Sequence, residues 1–130
     1  MGEPRQVISH QAVAALHEVL QALTVLAERG ESHTLFIDKM ALTPEDRQDI
    51  RDYLGTGAIH IHFKGTSEPV EWQESGMSGV WYGVFYNQSG QPILETLEIA
   101  YFPGLAAAQP DDLQKGVAVL RERLTLNNAG

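Results

Sequence analysis

Residues 79–102 read GVWYGVFYNQSGQPILETLEIAYF, and this stretch decides the fold. Two runs rich in β-branched and aromatic residues flank Asn87-Gln88-Ser89-Gly90. A short polar break ending in glycine between two such runs predicts a β-hairpin, with Gly90 at the position that needs φ > 0. Alternation puts Val80, Tyr82, Val84 and Tyr86 on one side of the first arm and Trp81 and Phe85 on the other. On the second arm Leu94 faces one side, and Ile93, Leu97, Ile99 and Tyr101 face the other. A hairpin that is apolar on both faces belongs in the middle of a sheet, covered on each side. The expected covers are the protein's own helices on one face and, as an open alternative, a partner or second copy on the other.

Working outward from the hairpin, Val70–Glu74 alternates with Val70 and Trp72 inward. Ala58–Lys64 alternates with Ile59, Ile61 and Phe63 inward and His60, His62 and Lys64 outward. Gly65–Pro69 is the turn between them. Thr34–Asp38 is a short strand. Ser9 caps a helix over about His10–Arg29, whose stripe is Val13, Leu16, Leu20, Leu23 and Ala27, widened by Val19 and Leu26; Gly30 stops it. Thr43 caps a second helix with Pro44 in its first turn and acids behind it. Ile50, Tyr53 and Leu54 form its buried face, and Gly55 ends it. Pro110-Asp111-Asp112 opens a third helix with the stripe Leu113, Val117, Leu120 and Leu124. Met1–Ser9 is a lead-in and Asn127–Gly130 a tail.

The order α-β-α-β-β-β-β-α predicts an α+β fold: a mostly antiparallel sheet of about five strands with three helices, in one domain over residues 1–130. The helices at the two ends are expected to share one sheet face.

Composition narrows the function. The chain has 130 residues, 17 acidic against 9 basic side chains, and a net charge of −8. That balance argues against nucleic acid and anionic membrane surfaces, which require clustered Lys and Arg. No cysteine is present, which excludes disulfides, thiolate nucleophiles and Cys-ligated metal centres. The longest helical apolar stretch, Val13–Ala27, is broken by His17, Glu18, Gln21 and Thr24, so no membrane insertion is expected. The expected compartment is the cytoplasm.

Four constellations invite a chemical reading. His60 and His62 share one face of a strand, a spacing that can chelate a metal once a third ligand arrives; Glu71 on the next strand reaches them if the register is right. Otherwise the pair is simply solvated. The strand carboxylates Glu68, Glu71, Glu74, Glu95 and Glu98 are an acidic surface or a docking patch for a basic segment. No nucleophile, oxyanion motif or phosphate loop supports an enzyme, and Glu95 and Glu98 fall on opposite strand faces. Ser75-Gly76-Met77-Ser78-Gly79 lacks the Gly-x-Ser-x-Gly pattern of a nucleophile elbow. Trp81 and Phe85 flank Gly83, which leaves a gap that a helix fills if this face is core, or a shallow slot suited to a partner's side chain if the face is open.

Three segments, taken in order, resemble a known family: TLFIDKMALTPEDRQDIRDYLGTGAIHI, VEWQESGMSGVWYGVFYNQSGQPILETLEIAYFPG and AAAQPDDLQKGVAVLRERL. The most specific parts are Leu42-Thr43-Pro44, Gly79-Val80-Trp81 and Leu94-Glu95-Thr96-Leu97-Glu98-Ile99. From about His33 to Leu124 the chain resembles the C-terminal conserved domain of the HupH (HyaF, HoxQ) hydrogenase expression/formation proteins. Those proteins are longer, so the chain is expected to be a short or stand-alone version of the domain. The resemblance implies a non-catalytic, chaperone-like accessory role in maturing a [NiFe] uptake hydrogenase. It implies as partners the hydrogenase small iron–sulfur subunit or its precursor, together with other maturation proteins. It implies no cofactor, no metal and no catalytic residue. The expected contact surface is Trp81 and Phe85 with Glu71, Glu74, Glu95 and Glu98, an acidic setting that suits a client with a basic twin-arginine export signal. A homodimer through the same face is the competing arrangement. The alternative from another class is a small metal-binding protein using His60 and His62.

Overall fold

A computed structural model describes residues 7–64 and 68–129. The element order is α1 (His10–Arg29), β1 (His33–Phe36), a 3-10 turn (Ile37–Lys39), α2 (Pro44–Leu54), β2 (His60–Phe63), β3 (Val70–Glu74), β4 (Val80–Tyr86), β5 (Pro92–Ile99), a second 3-10 turn (Gly104–Ala106) and α3 (Pro110–Ala129). The strands form one antiparallel sheet in the order β1-β5-β4-β3-β2. The fold is α+β, and the β4–β5 hairpin lies inside the sheet as its two apolar faces require. Residues 65–67 of the expected β2–β3 turn, most of the lead-in (1–6) and the last residue of the tail lie outside the described residues.

Local sequence sets the caps. Gly90 takes φ 81° in the hairpin turn, where the Asn87 side-chain oxygen accepts from the backbone N–H groups of Ser89 and Gln91. Thr43 and Asp46 form a reciprocal capping box at the start of α2. Ser9 Oγ accepts from Ala12 N at α1 and donates to Asp46 Oδ1 at 2.6 Å, which joins the N-termini of the two helices.

Helices α1 and α2 pack on one face of the sheet. The main core there is Ala12, Ala15, Val19, Ala22 and Leu26 of α1, Ile50 and Leu54 of α2, and Leu35, Val80, Tyr82, Leu97 and Ile99 of the strands. Val19 and Leu26, expected to widen the α1 stripe, are buried, but the centre of the stripe is rotated by one residue from the expected one. Val13, Leu20 and Ala27 are exposed, while Leu16 and Leu23 sit at the margin. Alanines at 12, 15 and 22 have the same 3-4 spacing as the larger residues, and their small side chains let the helix lie close to the sheet. On α2, Tyr53 is only half-buried, while Asp46 and Asp49 are buried with Ile50 and Leu54. Asp38 leaves β1 early: its carboxylate accepts from Glu95 N at 2.8 Å and ion-pairs with Arg47.

The opposite face carries a smaller core of Val70, Trp72 and Trp81, with Ile61, Phe63, Phe85 and Ala106 against it. Its cover is the segment after β5, not a helix. Ile59 precedes β2 and is exposed. The expected sharing of one face by the terminal helices is not met. All side chains described in α3 are exposed, including Leu113, Val117, Leu120 and Leu124. The helix continues through Ala129, beyond the expected start of the tail.

Candidate functional site

Sheet register sorts the expected contact residues into two rows. Across β3, β4 and β5, Glu74 lies opposite Trp81, and Trp81 opposite Glu98. This row is on the face away from α1 and α2. Glu71, Val84 and Glu95 form another row on the helix-bearing face. Trp81 therefore has a carboxylate on either side, and the four glutamates do not form one patch.

Each glutamate is also placed against its own neighbours. Glu98 Oε2 accepts from Trp72 Nε1 at 2.6 Å. Glu95 is within 3.5 Å of Arg47 and 3.8 Å of Arg51. The Glu74 carboxylate lies against Gly57, where a Cβ would meet it. Glu71 is held by Tyr86 and by both strand histidines.

Trp81 is buried. Its Nε1 donates to Ala100 O at 3.0 Å, and Phe102 meets its ring edge-on at 5.8 Å between centroids. Phe85 is half-buried and edge-on to Trp72. Of the two readings of the gap at Gly83, core use holds, with side chains of the neighbouring strands rather than a helix filling it. Trp72 lies opposite Gly83, and a Cβ there would collide with Thr96 Oγ1 and press on Trp72 Cδ1. Gly83 is needed for this close approach.

Further exposed apolar groups follow β5 in the chain. Tyr101, Phe102 and Leu105 stand at the surface, followed by the apolar stripe of α3. Side chains 113, 117, 120 and 124 recur at 4-3-4 spacing along a helix whose described residues are all exposed. Gln109 braces the approach to α3 by donating to the carbonyls of Gly104 and Ala107 at 2.9 and 2.7 Å. This stripe was legible as an apolar face in the sequence, but not as an uncovered one.

At the β2 edge of the helix-bearing face, register supplies the third ligand that the histidine pair lacked. Glu71 lies directly opposite His62, with His60 on the diagonal. Glu71 Oε2 is 2.9 Å from His62 Nε2 and 3.3 Å from His60 Nε2. Tyr86 Oη donates to the other oxygen, Oε1, at 2.6 Å. That hydrogen bond is the main reason the Glu71 carboxyl lies below its ordinary range, with partial burial opposing it and the two imidazoles assisting. The same bond pushes the Tyr86 phenol upward.

No described helix is long and apolar enough to cross a membrane. Residues 10–126 match the family model for the HupH hydrogenase expression protein, C-terminal conserved region. The chain is 28% identical to the hydrogenase expression/formation protein HupH of Rhizobium leguminosarum bv. viciae over 93% of its own length and 45% of that protein's. It is 31% identical to HupQ of Azotobacter chroococcum mcd 1, over 94% of this chain and 47% of that one. The chain thus spans about half the length of these curated relatives or slightly less. Among solved structures, the hydrogenase expression protein HupH from Thiobacillus denitrificans superposes with a TM-score of 0.82 at 27% identity. That match covers 90% of this chain and 97% of the other.

Proposed function

The chain belongs to the family of HupH hydrogenase expression proteins, and from that membership we propose a non-catalytic accessory protein that binds the hydrogenase small subunit, or its precursor, in the cytoplasm before export. The observation that carries a binding role is α3. Its stripe of Leu113, Val117, Leu120 and Leu124 is more than half exposed at each position. An amphipathic helix with no cover offers apolar anchors at helical spacing for a polypeptide partner. Tyr101, Phe102 and Leu105, which precede α3 in the chain, are exposed as well. Glu74 and Glu98 lie on the sheet face away from α1 and α2, and the net charge of −8 favours a client with a basic segment.

The expected role of Trp81 changes accordingly. Its ring supports the surface from beneath Phe102 rather than reaching a partner itself. Phe85 is at the margin of the same small core.

Affinity co-purification from a hydrogenase-expressing cell, followed by mass spectrometry, tests this reading. Recovery of the small subunit with its export signal still attached supports it. Recovery of no hydrogenase component from cells making the precursor refutes it.

A further inference from the structure

We propose that His60, His62 and Glu71 form a binding site for one divalent first-row transition ion of the zinc type, with Tyr86 as the group that orients the carboxylate. This inference is independent of the accessory role.

The donor atoms are already gathered. One ligand atom from each of the three residues lies within 4.8 Å of the others. Glu71 Oε2 sits 2.9 and 3.3 Å from the two Nε2 atoms. A tetrahedral ion with ligands at about 2.0–2.1 Å holds its donors about 3.3 Å apart. Small side-chain adjustments therefore admit the ion.

The chemistry of the set agrees with the geometry. Two imidazoles and one carboxylate are borderline nitrogen and hard oxygen donors, suited to Zn2+, Ni2+ or Cu2+ rather than to Ca2+ or Mg2+. Tyr86 Oη occupies Glu71 Oε1, so Oε2 is the oxygen aimed at the histidines. A hydrogen bond to the far oxygen of a ligating carboxylate is the usual outer-shell support of such sites. The backbone supports the set as well. All four residues project from three adjacent strands of one rigid sheet, and β2 is the edge strand. Both imidazoles are about half exposed, so the ion enters from solvent. Three protein ligands leave at least one position for water or for a donor from a partner.

A plain ion pair between Glu71 and the histidines is the competing account, and zinc titration of the purified full chain separates the two. Isothermal titration with Zn2+ gives one ion per chain if the site is real. Titration with Co2+ gives the visible absorption of a low-coordinate nitrogen and oxygen site. His62→Ala and Glu71→Ala each weaken zinc binding at least about 100-fold, and Tyr86→Phe weakens it about 10-fold. His17→Ala and His33→Ala leave it unchanged, which excludes binding by scattered histidines. Circular dichroism confirms that each variant is folded. Absence of saturable one-to-one binding by the wild-type chain overturns the proposal. So does unchanged affinity in a folded His60→Ala/His62→Ala double variant. Neither result bears on recovery of a hydrogenase subunit.

Discussion

Trp72 Nε1 donates to Glu98 Oε2 across the face of β4, at 2.6 Å. The indole crosses over Gly83 to do so, and it is fully buried. Glu98 is therefore both a carboxylate beside Trp81 and the partner of a buried N–H.

Removing that partner leaves a buried donor unsatisfied. Glu98→Ala is expected to lower stability by about 1–3 kcal/mol, read by chemical denaturation. Glu95→Ala breaks only half-exposed contacts to Arg47 and Arg51 and is expected to cost less than about 1 kcal/mol. Equal effects of the two changes would contradict this assignment. Binding studies that neutralise Glu98 need this stability difference measured alongside.

Trp81 tests the division between core and surface. Truncation to Ala is expected to cost on the order of 3–5 kcal/mol, as for a large aromatic in a packed core. Phe102→Ala removes its edge-on cover and is expected to cost less, since Phe102 is about half exposed (46%). A Trp81→Ala variant with wild-type stability would place the indole outside the core.

Tyr82 gives the fold an alkaline limit. Its hydroxyl lies 3.2 and 3.1 Å from the carbonyl oxygens of Arg51 and Gly55. Burial pushes the phenol up to about 12 from 10.0, with the Arg51 guanidinium opposing. Between those values the unfolded chain has lost a proton that the folded chain retains. The stabilisation is thus complete below pH 10 and declines as pH rises toward 12. Tyr82→Phe is expected to flatten this decline in a series of denaturation curves from pH 9.5 upward. Tyr86 keeps some slope in the variant, because its phenol is also raised, by Glu71. An identical pH profile in Tyr82→Phe would show that Tyr82 ionises equally in both states.

What could be read from the sequence was mostly local. Asn87–Gly90, Thr43-Pro44 and Gly30 each fix a turn or a helix end within a few residues, and the structure has all three. Alternation placed Trp81 and Tyr82 on opposite faces of one arm and Glu95 and Glu98 on opposite faces of the other; only the pairing puts Trp81 beside Glu98. Depth and cover were harder. On α1, residues 12, 15, 19, 22 and 26 have the same period as residues 13, 16, 20, 23 and 27. Periodicity alone does not choose between two stripes one residue apart. Whether the gap at Gly83 is core or open turns on Thr96 and Trp72, which belong to the neighbouring strands. The third ligand beside His60 and His62 depends on the same kind of cross-strand register. For α3, the pattern shows which side is apolar and says nothing about what lies against it.

The proposed docking of a hydrogenase client on α3 is open to a direct test with purified components. Binding of the full chain to the small-subunit precursor is measured by calorimetry for wild type and for a Val117→Asp/Leu120→Asp variant. Both positions are exposed, so the variant is expected to unfold at the wild-type temperature. A one-to-one complex is expected for wild type, with at least about a 100-fold loss of affinity in the variant. A complex of unchanged affinity in the variant, or no complex with the wild-type chain, would contradict docking on α3.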